Sequence, residues 1–105
     1  MTLTEATFDE TLATTAELLL VDFWAPWCGP CRAIAPVLDT LVNDAAGRVK
    51  LAKVNVDEEP ALAARYEIMS IPTILLVKDG RVVDRVIGAV PRATLDAKVQ
   101  RALAA

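Results

Sequence analysis

The sequence predicts an α/β fold: a central mixed β-sheet of about five strands, flanked by about four helices. Two stretches carry that prediction. A near-continuous apolar run from Leu18 to Trp24 is followed by Ile34, Val37, Leu38, Leu41 and Val42 at helical spacing, and then by a second apolar strand holding Val49, Leu51, Val54 and Val56. Strand, long helix and strand in that order make a right-handed parallel βαβ unit. Further on, Thr73 to Val77 and Val82 to Ile87 are β-rich runs joined through Lys78-Asp79-Gly80-Arg81. Asp-Gly between two such runs marks an antiparallel hairpin.

Each element has its own local signal. Thr7-Phe8-Asp9-Glu10 fits a capping box, which places the start of a short first helix there. The run Leu18 to Trp24 has the unbroken apolar character of a central strand buried on both faces. A second helix is expected from about Pro30 to Ala46, ending at Gly47, with Pro36 kinking it from inside. Asp57 is expected to cap a third helix, with Glu58, Glu59 and Pro60 in its first turn and Ala61 to Tyr66 as its body. Ile68 to Thr73 then loops back to the sheet. Leu95, Val99 and Leu103 repeat every four residues after Pro91, giving a last helix whose apolar side covers one sheet face. An amino-terminal strand is hard to identify in Met1 to Ala6.

Composition limits the function classes. At 105 residues, 54% hydrophobic and 24% charged, the chain is expected to form one compact soluble domain over residues 1–105. Its longest apolar runs are strand-length, so no transmembrane helix and no membrane association are expected. Eleven basic against fourteen acidic residues leave a net charge of −3, which disfavours nucleic acid as a partner. The amino terminus lacks the basic start and apolar stretch of a secretory signal, so a cytoplasmic location is expected. Histidine is absent. That excludes Ser-His-Asp and Cys-His catalysis within the chain, and it leaves two cysteines as a poor basis for a zinc site. No phosphate-binding glycine motif is present, and no cofactor is expected.

The chemistry concentrates in Trp27-Cys28-Gly29-Pro30-Cys31, which holds the only two cysteines. Residues three apart in a helical turn have Cβ atoms about 5–6 Å apart, and a disulfide needs roughly 3.5–4.5 Å, so slight tightening opens or closes the bond. The pair lies where a buried strand turns into a helix. Free N–H groups and the positive end of the helix dipole favour a thiolate there, making Cys28 the expected nucleophile. Cys31, one turn further in, is expected to be more buried and to resolve the mixed disulfide. A structural staple is the alternative, but a loop this short would add only roughly 2 kcal/mol, against about 4.7 for a loop of 100 residues.

Two charged residues in the apolar strands invite a role. Asp22 sits inside the first run, where it is either a buried acid with a raised pKa or a solvent-facing strand-edge residue; the run alone leaves both open. Lys53 lies in the strand expected to pair beside Leu18 to Trp24, either as a charge partner of Asp22 or as an ordinary exposed lysine.

Val21-Asp22-Phe23-Trp24-Ala25-Pro26-Trp27-Cys28-Gly29-Pro30-Cys31, Ala35-Pro36, Lys53-Val54-Asn55-Val56-Asp57, Ile71-Pro72-Thr73 and Val86-Ile87-Gly88-Ala89 together resemble the thioredoxin family, in the family's order and over most of the chain. The resemblance implies the thioredoxin fold and a monomeric thiol–disulfide oxidoreductase that reduces disulfides in partner proteins. It also implies recharging by thioredoxin reductase using NADPH. Asp22 is then buried behind the cysteines as proton acceptor for Cys31. Ile71-Pro72 corresponds to the family's cis-proline loop, with the Ile71 backbone pairing an extended substrate segment by strand addition.

On the same resemblance, Trp27, Ile71, Pro72, Gly88 and Ala89 form a shallow apolar patch around Cys28; Trp24, from its place in the strand run, is expected in the core. Gly29 and Pro30 shape the turn, and Gly-Pro between the cysteines resembles the reducing members of the fold. Pro26 stands where many relatives carry an acid, a departure that bears on partner preference. Two rival readings are an oxidase or isomerase of the same fold, against which Gly29-Pro30 argues, and a binding module that makes little use of the cysteines.

Overall fold

A computed structural model describes all residues, Met1–Ala105. The elements run α1 (Phe8–Thr14), β1 (Leu18–Trp24), α2 (Gly29–Asp44), β2 (Val49–Asn55), α3 (Pro60–Arg65), β3 (Thr73–Lys78), β4 (Arg81–Ile87) and α4 (Arg92–Ala104). The strands form one mixed sheet in the order β2-β1-β3-β4. β1 and β2 pair in parallel, whereas β1–β3 and β3–β4 pair antiparallel. The amino-terminal segment adds a single parallel bridge, Thr2 to Lys53, beside β2. Lys53 N–H donates to Met1 O and Leu3 N–H to Lys53 O, each at 2.8 Å. The sheet therefore has four strands against the about five expected, and this isolated bridge is all that the amino-terminal segment contributes.

Alternation along β1 sorts the core into two layers. Leu18 and Leu20 pack with Ile34, Leu38 and Leu41 of α2 and Leu95 and Val99 of α4. Leu19, Val21 and Phe23 pack with Phe8 and Leu12 of α1 and Leu62 of α3. Asp22 and Trp24 continue the first series, so they fall on the α2 side of the sheet. This parity positions the site.

The hairpin follows the sequence signal: Asp79 and Gly80 both take left-handed conformations, φ 52° and 78°, whose twist suits a two-residue turn between antiparallel strands. Helix α2 ends two residues earlier than expected, with Ala46 and Gly47 in the left-handed region. Pro36 lies inside it and has no N–H to offer the Arg32 carbonyl.

Two expected caps do not form. Thr7 has a near-helical backbone, φ −108° and ψ −12°, instead of the extended one a cap requires, and its hydroxyl accepts from Thr4 N–H at 3.0 Å. Asp57 does not cap α3, which begins at Pro60 with Glu59 before it. The Asp57 carboxylate is instead taken by the Trp27 indole N–H at 2.8 Å.

Candidate functional site

The site lies where the carboxyl end of β1 passes into α2. Cys28 is the N-cap of α2: its backbone is extended, φ −84° and ψ 110°, and its Sγ accepts the Cys31 N–H at 3.2 Å. Gly29 and Pro30 follow as the exposed first helical residues, where the missing proline N–H costs nothing. Cys28 and Cys31 are disulfide-bonded with Cα atoms 5.2 Å apart. Cys31 is the more buried, but only at 2% exposure against 4%, because both sulfurs share an apolar cluster with Ala25, Trp24, Val56 and Ile71. What separates the two cysteines is position: Cys28 caps the helix and adjoins the exposed Trp27, while Cys31 is inside the first turn.

The Ile71–Pro72 peptide bond is cis. Its loop packs against the cysteines, with the Ile71 carbonyl oxygen 3.9 Å from Cys28 Sγ. Gly88 N–H donates to Pro72 O at 2.8 Å, which ties the end of β4 to this loop. Gly88 has φ 91°, a conformation that a side chain would strain. Ala89 is exposed beside it.

The patch expected around Cys28 is only partly as anticipated. Trp27 is 67% exposed and Ile71 half-buried, but Pro72 is buried and contributes its backbone rather than apolar surface. The larger apolar feature is a groove of about 430 Å³ formed by Trp27, Val56, Ala63, Ile68, Met69 and Ile71, with Ser70 at its edge. Met69, 93% exposed, is the residue the sequence reading missed. A long apolar side chain inside the loop before Ile71-Pro72 was the available signal. Trp24, expected in the core, is half-buried, and its indole N–H is enclosed without a hydrogen-bond partner.

Asp22 resolves in favour of burial. It is 1% exposed, pairs in register with Lys53 on β2 and Ile74 on β3, and its Oδ1 has no hydrogen-bond partner. Burial pushes its carboxyl from an ordinary 3.8 up to about 6; the Lys53 charge pulls the other way and the Asp39 charge adds to the rise. Lys53 is half-buried on the same sheet face, with its ammonium 5.9 Å from the centre of the Trp24 ring. One side of the sheet therefore brings together a disulfide at a helix start, a buried acid whose pKa burial raises to about 6, and a lysine. No group of three or more His, Cys, Asp or Glu side chains is arranged to hold a metal ion.

The thioredoxin family model matches residues 1–101. Thioredoxin 1 of Synechococcus elongatus is 52% identical over 92 residues, which cover 88% of this chain and 86% of that protein. Thioredoxin 1 of Nostoc is 47% identical over 100 residues, covering 95% and 94% respectively. A protein of Pisum sativum named Thioredoxin M-type, chloroplastic, is 52% identical over 97 residues, covering 92% of this chain and 56% of that protein.

Proposed function

Because the chain belongs to the thioredoxin family and is a thiol–disulfide oxidoreductase of the protein-disulfide reductase type, we propose that Cys28 attacks the partner's disulfide and Cys31 completes the exchange. The observation that carries the order of attack is the helix cap: the Cys28 sulfur accepts the Cys31 N–H at the positive end of α2, where a thiolate is favoured. The Cys28 thiolate forms a bond to one partner sulfur, and the other partner sulfur leaves as a thiolate. Cys31 loses its proton to Asp22 and attacks Cys28 Sγ, which releases the second partner thiolate and forms the Cys28–Cys31 disulfide. Two electrons pass to the partner, and its thiolates take up protons.

Asp22 suits the base role because burial lifts its pKa to about 6, close to a neutral operating pH. Lys53 moderates that rise from β2. Trp27, Ile71 and Met69 supply the apolar docking surface, with the Ile71 backbone open to strand addition near Cys28. Pro72, Gly88 and Ala89 shape its far edge, the glycine leaving room for a partner backbone, and Gly29 and Pro30 form the rim at the nucleophile.

The unit that acts is one domain over residues 1–105, a reading supported by the match to residues 1–101 and by a sheet covered on both faces. The disulfide, the buried acid and the cis-proline loop meet at the end of one sheet, and the reading is that a single copy acts as a monomer. A reducing activity belongs in a reducing compartment, and we place the protein in the cytoplasm with thioredoxin reductase as its electron donor. No helix is long and apolar enough to cross a membrane.

The test is reduction of a disulfide-containing protein with a dithiol donor. Cys28→Ser abolishes turnover, while Cys31→Ser accumulates a mixed disulfide through Cys28. Failure to trap that adduct overturns the order of attack.

A further inference from the structure

A second hollow adjoins the docking groove beside Cys28. The groove formed with Trp27, Val56 and Ile71 shares Ala63, Ile68 and Met69 with a neighbouring hollow of about 470 Å³, whose remaining walls are Ala64, Glu67 and Arg85. The two make one furrow, and Met69, 93% exposed, stands between its halves. The chain is pinned on both sides of that methionine: Ile68 N–H donates to Ala63 O at 2.9 Å, and Thr73 Oγ1 donates to Ser70 O at 2.7 Å. The furrow is preformed, with one end beside Cys28 and a cation at the other.

Arg85 reaches the hollow by strand parity. It is the register partner of Leu75, which packs in the layer of α1 and α3, so it faces α3; Asp84 next to it turns to the opposite face and pairs with Lys98 of α4 at 3.1 Å. The half-buried Arg85 guanidinium donates through Nη2 to Tyr66 O at 2.8 Å, just past the end of α3. It is held in place, yet no carboxylate of the chain lies within ion-pair distance of it, since the ion pairs use Arg65, Arg92 and Lys98. Glu67 lines the same hollow without pairing to Arg85, and its exposed charge is the more strongly screened of the two.

We infer that Arg85 is a specificity-determining residue at the far end of the furrow, selecting partner proteins whose disulfide lies in an extended segment with an apolar side chain near the attacked cysteine and an acidic one further along. This rests on the docking reading above, in which the partner segment adds beside Ile71 and its apolar side chain enters between Trp27 and Met69. A segment continuing past Met69 arrives at Arg85, where a carboxylate supplies the missing counter-charge. One arm of the guanidinium is taken by Tyr66, and its other N–H groups remain to hold that carboxylate. A basic side chain at the same place meets like charge. The two halves of the furrow thus divide the work: the flexible thioether of Met69 adapts to apolar side chains of different shape, while the fixed cation discriminates by charge.

The experiment follows reduction of extended peptide disulfides that carry a leucine near the attacked cysteine and a single Glu or Lys placed at successive positions beyond it. At the position that meets Arg85, the Glu peptide has a kcat/KM about fivefold above the Lys peptide, and the ratio shrinks as salt is raised. Arg85→Gln removes the preference and Arg85→Glu reverses it; a gain on the Lys peptide cannot come from a damaged fold. Arg101→Glu, the same charge change on α4, leaves the preference as it was. Absence of any position at which Arg85→Glu reverses the preference, or an equal reversal by Arg101→Glu, overturns the assignment. If Met69→Ala and Trp27→Ala still raise KM for these peptides, only the role of Arg85 falls. If they leave KM unchanged, the docking reading falls and this use of Arg85 with it.

Discussion

Asp22→Asn stabilises the fold at neutral pH and loses that advantage in acid. The carboxyl is held at about 6 in the folded chain against an ordinary 3.8, mainly by burial. The folded state therefore binds more protons than the unfolded state between these values, and stability falls as pH rises through that window. Below about pH 3.8 the group is protonated in both states and costs nothing; above about pH 6 the full penalty applies. A gap of about two pH units at 1.36 kcal/mol each gives about 3 kcal/mol. For a domain whose total stability is about 5–15 kcal/mol, that is a large fraction.

Asparagine removes the titration and keeps the shape. Its amide has its own unmet hydrogen bonds, since Asp22 Oδ1 already lacks a partner, so the absolute gain at one pH mixes two effects. Only the charge effect depends on pH. The quantity to measure is the difference in unfolding free energy between Asp22→Asn and the parent chain, by urea titration of the oxidised proteins from pH 3.5 to 8. Other carboxylates with shifted values, such as Asp9 and Asp84, are common to both proteins and cancel. The expected difference grows by about 3 kcal/mol across the window and is flat on either side. A difference constant with pH would refute the reasoning, because it would mean that Asp22 titrates alike in the folded and unfolded states.

Two further outcomes follow from named contacts. Lys78→Met costs about 1–2 kcal/mol in urea unfolding, because Lys78 Nζ donates to the Ala102 and Leu103 carbonyls at 2.9 and 3.4 Å and also to Ala105, capping the end of α4; an unchanged midpoint would show that the apolar face of α4 suffices to hold it. Trp27→Ala raises KM for a protein disulfide roughly tenfold while leaving reduction of a small aromatic disulfide nearly unchanged, since the indole is a docking surface rather than a reacting group; equal losses on both substrates would place Trp27 in the chemistry.

The elements of the fold were readable where one local rule was strong enough to decide. Asp79-Gly80 determined its hairpin because both residues tolerate left-handed backbone, and the unbroken apolar run of β1 marked a strand covered on both faces. Caps were less readable. Thr7 and Asp57 have the right side chains, but capping also requires an extended backbone and a carboxylate not claimed by another donor. In this fold Thr7 is near-helical, and Asp57 is claimed by Trp27, thirty residues away. Trp24 was unreadable for a related reason: its place in an apolar run suggests the core, whereas its end position on the strand leaves it half-buried beside Lys53.

The site divides along the same line. Cys28 and Cys31 announce themselves because their chemistry depends on contiguous sequence: a strand end, a helix start and a three-residue spacing. Asp22 is ambiguous in the linear chain, and the deciding fact is parity. Leu18 and Leu20 face α2, so Asp22, two residues on, faces it too, on the side where α2 begins with the cysteines. Lys53 reaches the same face by being the register partner of Asp22. The groove between α2 and β2 needs one more step, the closure of the helix over the strand, which neither segment predicts alone. Met69 is the same case on the opposite rim: it becomes a docking residue only once the loop before Ile71 lies beside Trp27. The nucleophile is thus written locally, while the groups that tune its proton and choose its partner are set by which side of the sheet each residue occupies.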